Sequence, residues 1–429
     1  MLNINPKEAH QIIASLEGGV VPSRGIRHLL VGRRQEVDEI LSTLERVKDG
    51  ASDIRFWVGD FGSGKSFMLQ TIDTFALEKD FVVSTVDLSP TRAFSASTGK
   101  ARALYREIMN NLHIKTCQDR SCLEIVLQKW ITRLREEWEP ENGPLVFEIL
   151  QAIERTFDTF KVPLMAYDFG KAVAAYAQGM LNEDREQKIQ ALRWLRAETD
   201  TKTEAKKTLG IGTIINDTNW FDALKTFDEL VVKIGYAGLV VNFDELVNVY
   251  KLPRSQTRAS NYEMILNMYN ECKTGRVQHL FLNFGATRKT IYDSYRGLSS
   301  YRALAGRLGA EQKETGLVNT NRTVLALKPL TPEEIYTLLE HLLAVYKARY
   351  HCDVSVSYEQ LRRYMEEQLN RPGADEFLTP RAVIKDFLEL LDLKRQNPER
   401  SFDSLLESKF GGRPVTRDAD DHDDSLEVF

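Results

Sequence analysis

Five short, almost continuously apolar runs are set into a chain otherwise dominated by helical spacing: Ile54–Val58, Phe81–Asp87, Gly238–Phe243, His279–Phe284 and Thr323–Leu327. Continuous rather than alternating apolarity marks strands buried on both faces. Helical sequence between successive runs marks crossover connections. The pattern predicts an α/β fold, a five-stranded parallel sheet covered by helices. Before the first run the chain reads as amphipathic helix, interrupted at Gly18-Gly19 and Pro22, with a helix expected over Val37–Val47. Between the second and third runs lie about 150 residues, where a crossover needs only about a dozen. That stretch predicts helices at Leu104–Leu112, Leu123–Trp138, Pro144–Phe157, Leu164–Leu181 and Arg185–Thr199. The expected division is therefore a core of residues 1–101 and 236–329 with a helical insertion at 102–235. After the fifth run, Thr331, Pro332 and Glu334 form a helix start with a capping box. Helices at Tyr358–Leu369 and Arg381–Leu393 complete an expected helical lid at 330–411.

Composition narrows the class. The chain has 429 residues, 42% hydrophobic and 28% charged, which suits a soluble protein with two or three cores. No run approaches the roughly 20 apolar residues of a membrane span. The first residues, Met1 to Glu8, lack a secretion-signal layout, so a cytoplasmic location is expected. Cys117, Cys122, Cys272 and Cys352 are scattered and read as reduced thiols, with no second pair to complete a zinc site. A net charge of −5 gives no global attraction to nucleic acid. The charge is uneven, because Asp418 to Phe429 holds six acidic side chains and no lysine or arginine; residues 412–429 read as a disordered acidic tail. Lys202, Lys206 and Lys207 make a small basic cluster before Gly210, either a solvated helix end or a phosphate-backbone contact.

The chemistry begins at Gly59-Asp60-Phe61-Gly62-Ser63-Gly64-Lys65-Ser66, which fits G-x-x-x-x-G-K-[ST] in full. An apolar run precedes it. Phe67 to Lys79 follows, with Met68, Ile72, Phe75 and Ala76 at helical spacing. Strand, glycine loop and helix make a phosphate cradle: glycines turn the backbone so that N–H groups converge, and the helix dipole adds to the field. Lys65 brings a full charge to the outer phosphates, and the Ser66 hydroxyl is a ligand for Mg²⁺. ATP and Mg²⁺ are the expected cofactors.

Hydrolysis needs a metal carboxylate and a group to orient water. The third run ends in Asp244-Glu245, which suits a metal-directed Asp244 and a water-polarising Glu245. The fourth leads to Thr287, the first choice for a polar γ-phosphate sensor, with Asn283 second. Arg296, Arg302 and Arg307 follow; Arg307 is preferred as an arginine finger acting on a neighbouring subunit, with a surface ion pair as the alternative. Thr379-Pro380-Arg381 opens a late helix, where Arg381 either senses phosphates or is a plain first-turn residue.

These features resemble the AAA+ P-loop ATPases of the origin-recognition and Cdc6-like branch. The resemblance places Val31-Gly32-Arg33 near the adenine, makes 279–287 a sensor strand and 379–381 a second sensor, and implies strand order 5-1-4-3-2. Thr287 stands where that family often has Asn. A closer resemblance is to the ATP-binding proteins of bacteriophage exclusion (BREX) systems, the BrxC/BrxD type. It is carried by Val20–Gly25 leading to Val31-Gly32-Arg33, by 59–66, by Phe81-Val82-Val83 with Asp87-Leu88-Ser89-Pro90, and by Ser300–Leu304. Chain length is similar to the short BrxD type. The resemblance implies a bacterial antiphage ATPase with helicase or methyltransferase partners. DNA and a nucleotide-dependent homo-oligomer are further candidate partners. A slow nucleotide-gated scaffold, or a factor loading a helicase or nuclease on DNA, are the alternative functions. Val31, Gly32, residues 59–66 and Phe67 are the expected nucleotide contacts.

Overall fold

The computed structural model describes residues 4–95, 98–118, 121–142, 146–309, 319–374 and 379–410. The tail at 412–429 and Leu378 lie outside them. In chain order the helices and strands are α1 (Pro6–Glu17), α2 (Arg34–Lys48), β1 (Asp53–Val58), α3 (Lys65–Glu78), β2 (Val82–Asp87), α4 (Lys100–Asn110), β3 (Leu112–His113), α5 (Leu123–Asn142), α6 (Val146–Phe157), α7 (Pro163–Leu181), α8 (Arg185–Leu195), α9 (Lys202–Leu209) and α10 (Trp220–Ile234). They continue as β4 (Leu239–Asp244), α11 (Val247–Tyr250), α12 (Ser255–Lys273), β5 (Leu280–Ala286), α13 (Arg288–Tyr292), α14 (Arg302–Leu308), β6 (Val324–Ala326), α15 (Pro332–Tyr350), α16 (Tyr358–Asn370), α17 (Pro380–Gln396) and α18 (Phe402–Phe410). They fall into two compact units. One comprises residues up to Asp38, Gly59–Thr74 and the chain from Ala326; the other comprises Glu39–Val58 and Phe75–Leu325.

The second unit holds the sheet, ordered β3-β2-β4-β5-β1-β6. The five expected strands stand in the expected order, and β2, β4, β5 and β1 pair in parallel. The expected all-parallel five-stranded sheet is corrected on one point: β3 adds a sixth, antiparallel edge strand, pairing Val83 with His113 and Ser84 with Leu112. Leu112 was expected to end a helix. The helix stops earlier, with Asn111 as its C-cap, and a two-residue strand has no periodicity to read. Helix α8 likewise ends short of Thr199, because Ala197 turns left-handed at φ 56° and the Glu198 N–H returns to the Arg193 carbonyl. Helices α9 and α10 fill the remainder of the long connection.

Each sheet face has its own character. On one, Phe56, Phe284 and Phe243 lie in register and stack at 4.7 and 5.0 Å, with Phe94 edge-on to Phe243. Buried residues of α4–α10, among them Tyr105, Trp130, Phe169, Trp194 and Trp220, join this face in one core. On the other, the register row runs Arg55, Asn283, Asn242, Thr85. Most buried polar groups are hydrogen-bonded, and each residue of this row makes at least one such bond. Trp57 Nε1 donates to Asn283 Oδ1 at 3.0 Å, Asn242 Nδ2 donates to Thr85 Oγ1 at 3.1 Å, and Arg55 binds Glu39 at 2.7 Å and Asp53 at 2.8 Å.

Asp228 is buried on α10. Loss of hydration pushes its carboxyl well above the usual carboxylate range, and the Glu229 charge adds to the shift. The charged form is therefore disfavoured in the folded state only. Its cost is present at pH above the folded value and vanishes below the unfolded one. Asp228→Asn should raise the thermal midpoint at pH 8, with the gain shrinking as pH falls; an equal midpoint difference at pH 5 and pH 8 would contradict this.

In the first unit, α1 packs with α15 and α17 around Ile12, Ile13, Leu338, Leu342, Phe387 and Leu391. The expected capping box is present: Thr331 Oγ1 accepts from the Glu334 N–H, and the Glu334 carboxylate accepts from the Thr331 N–H.

Candidate nucleotide site

Six residues, 59–64, join the end of β1 to the first turn of α3. Gly62 and Gly64 take φ +74° and +95°, the left-handed region where a Cβ is costly. Gly59 is required for a different reason: a Cβ there would stand 2.2 Å from Ser63 Oγ. A Cβ on Gly62 would meet Thr379 at 2.6 Å. Lys65 Nζ donates to the carbonyls of Gly59 at 3.1 Å and Asp60 at 2.8 Å, and lies 5.2 Å from the Phe61 ring centroid. The ammonium thus sits over the loop that its own helix follows. Ser63 Oγ is buried and has no hydrogen-bond partner among the described residues. A tight left-handed loop, a lysine folded over it and a 14-residue helix starting at Lys65 and Ser66 fit a polyphosphate anion.

The surroundings in the same unit tie three distant segments to this loop. Arg33, 7% exposed, donates to the Ser63 carbonyl at 3.3 Å and pairs with Glu36 at 3.5 Å. Gly32 is left-handed at φ +69°, and a Cβ on it would lie 2.5 Å from the Glu334 carboxyl carbon. Val31 and Phe67 pack against the helical core. Thr379 caps α17, accepting from the Ala382 N–H at 3.2 Å, so this helix begins against Gly62. Arg381 is exposed on its first turn. In the sequence Arg33 stands out only as part of the Val31-Gly32-Arg33 box; its bond to the loop carbonyl has no signal in spacing.

In the other unit, Asp244 ends β4 and is 7% exposed, whereas Glu245 is exposed. Glu245 holds φ +58°, a left-handed conformation that costs a non-glycine residue on the order of 1–3 kcal/mol. Its N–H donates to Asp244 Oδ1 at 2.8 Å, and the next N–H, of Leu246, donates to the Gly285 carbonyl on neighbouring β5. This turn projects Glu245 beyond the sheet edge. Asp87 ends β2 directly in register with Asp244. Loss of hydration, then the Asp244 charge, raises the Asp87 carboxyl. Asp87 is absent from the sequence-predicted site, although its run ends in a carboxylate as the third does.

Thr287 is 8% exposed and caps α13: its hydroxyl accepts from the Thr290 N–H at 3.2 Å and lies 2.8 Å from the Thr290 hydroxyl. Asn283 is fully buried within β5. Arg302 and Arg307 are exposed on α14, and Arg307 binds Asn270 Oδ1 at 3.1 Å and the Ala303 carbonyl at 2.7 Å. Arg296 is turned inward, donating to the Leu252 carbonyl at 3.3 Å. Lys202, Lys206 and Lys207 are exposed on α9. Among the described residues no group of three or more His, Cys, Asp or Glu could hold a metal, and no helix is long and apolar enough to cross a membrane.

The family described as BREX system ATP-binding protein BrxC/D matches residues 4–410. The chain belongs to this family. The match takes in both units, the phosphate loop and the Asp244-Glu245 turn. No curated protein matches the chain. Membership in the BrxC/BrxD family gives the chain an ATP-binding role in a phage-defence system and points to other BREX proteins as its company.

Proposed function

We propose that this BrxC/BrxD-family chain is a Mg²⁺-dependent ATPase whose nucleotide state controls its contacts with DNA or with other BREX proteins. The observation that carries the reading is the glycine loop 59–64, wound left-handed at Gly62 and Gly64 and opening α3 at Lys65. ATP supplies the phosphoanhydride bond; everything else falls to side chains and backbone of this chain. The loop N–H groups and Lys65 hold phosphate oxygens. Ser66 and Asp244 would supply oxygen ligands for Mg²⁺. Glu245 accepts a proton from the attacking water, a role that its exposed position suits. Val31, Gly32 and Phe67 contribute the base side of the site. Thr287 positions the reacting phosphate through its hydroxyl, and Arg381 answers from the first turn of α17. Residues 102–235 act as an insertion on the ATPase core, and 330–411 as its lid.

Arg307 is the proposed trans-acting residue. Its guanidinium is exposed and held by Asn270 and Ala303, which fixes its direction without burying its charge. In Ras-type systems a finger supplied in trans is worth about 10³–10⁵ in rate. ATPase activity per subunit should therefore rise with protein concentration, and Arg307→Ala should flatten that rise without loss of ATP binding. Specific activity that stays constant on dilution would return Arg307 to a surface role.

The ATPase reading itself is tested by phosphate release from purified chain with ATP, with and without Mg²⁺. Metal-dependent release supports it, and release indifferent to EDTA contradicts it.

A further inference from the structure

Two connections leave the C-terminal edge of the sheet from neighbouring strands: one follows β4 through α11 to Arg254, the other follows β5 through α13 to Tyr301. They are braced together. Tyr250 Oη donates to Asp293 Oδ2 at 2.9 Å. Arg296 donates to the Leu252 carbonyl and stands 5.5 Å from the Tyr250 ring centroid, while Arg258 donates to the same carbonyl at 2.7 Å. Asp293 Oδ1 also accepts from the N–H groups of Tyr295 and Arg296, at 2.8 and 3.0 Å. These bonds fix a turn whose outermost side chain, Tyr295, is 90% exposed. An aromatic ring left in water on a braced turn is a poor use of apolar surface unless something covers it.

The charge around it is one-sided. Residues 250–258 and 288–302 carry seven lysines and arginines against a single carboxylate, Asp293, in a chain of net charge −5. That carboxylate is engaged inside the turn, and its N–H and Tyr250 donors hold it below the usual carboxylate range although burial opposes them. Arg254 and Arg302 are exposed, and neither forms an ion pair among the described residues.

We propose that this braced turn is a contact surface for single-stranded nucleic acid, with Tyr295 as a stacking platform for a base and Arg254 among the cations that meet the phosphates. An exposed ring on a turn whose two segments are rich in lysine and arginine distinguishes this partner from others. An acidic protein needs the charges but not the ring, and a duplex keeps its base faces stacked away from it. The surface deepens the proposed contact with DNA but rests on no step of ATP binding or hydrolysis.

The test is fluorescence anisotropy of the full chain, without ATP, on a labelled single-stranded oligonucleotide of about 20 nucleotides, longer than common site sizes. Binding should weaken steeply with salt and should exceed that of the same sequence as duplex. Tyr295→Ala should weaken it about tenfold while leaving the salt slope unchanged; Tyr295→Phe, which keeps the ring, should match the parent. Arg254→Ala should lower the slope of log K against log salt by about 0.7. Absence of binding at low salt, equal affinity for duplex, parent-like affinity of Tyr295→Ala, or preference for a polyglutamate peptide would each overturn the proposal. Lys65→Ala should bind the strand like the parent, so failure of this surface and failure of the nucleotide reading are separable.

Discussion

Calorimetric titration of ATP into Lys65→Ala should show no binding at concentrations that saturate the parent. The side chain carries a full positive charge in the phosphate loop, and a charge-assisted hydrogen bond contributes about 1.5–3 kcal/mol. Two such bonds to phosphate oxygens correspond to roughly 10²–10⁴ in affinity. The exchange also removes the bonds from Lys65 Nζ to the loop carbonyls of Gly59 and Asp60. A cooperative thermal transition should accompany the lost binding, which separates loss of the site from loss of the fold. Tight ATP binding by this variant would remove 59–66 as the phosphate site.

Glu245→Gln should have the opposite signature, with ATP binding kept and turnover lowered by about 10²–10⁴, the range of a positioned general base. Gln has nearly the same shape, so the left-handed turn at φ +58° and the bond from its N–H to Asp244 survive the exchange. What it loses is the ability to accept a proton. Asp244→Ala should instead weaken the Mg²⁺ dependence of binding. The pair separates a hydrolysing machine from a slow nucleotide-gated scaffold, since a scaffold would keep its defence function with Gln at 245. Turnover by both variants equal to the parent's would displace the metal and base roles from this turn.

Much of the architecture was legible because parallel strands buried on both faces write themselves as apolar runs. Ile54–Val58, Gly238–Phe243 and His279–Phe284 each sit within two residues of an observed strand end. The phosphate loop was legible for a similar reason, as its glycines answer backbone demands that few other residues meet. β3 was not legible, since two residues that complete a sheet edge carry no period. Nor was the buried Arg55, which reads in sequence as an interruption of a strand and is held by Glu39, Asp53 and the carbonyls of Thr320 and Arg322. Asn283 and Thr287 show the same limit. Sequence places both at the right strand, but only the fold shows that one bonds Trp57 and the other caps α13. Long-range partners decide such roles, and spacing along the chain does not encode them.

The central claim is that ATP is held by the backbone of the glycine loop at the start of α3. Hydrogen–deuterium exchange of the full chain, with and without Mg-ATP, reads those N–H groups directly. Slowed exchange confined to peptides covering residues 59–68, with a smaller effect around Val31–Arg33, is the predicted result. ATP-dependent protection elsewhere, with exchange at 59–68 unchanged, would contradict it.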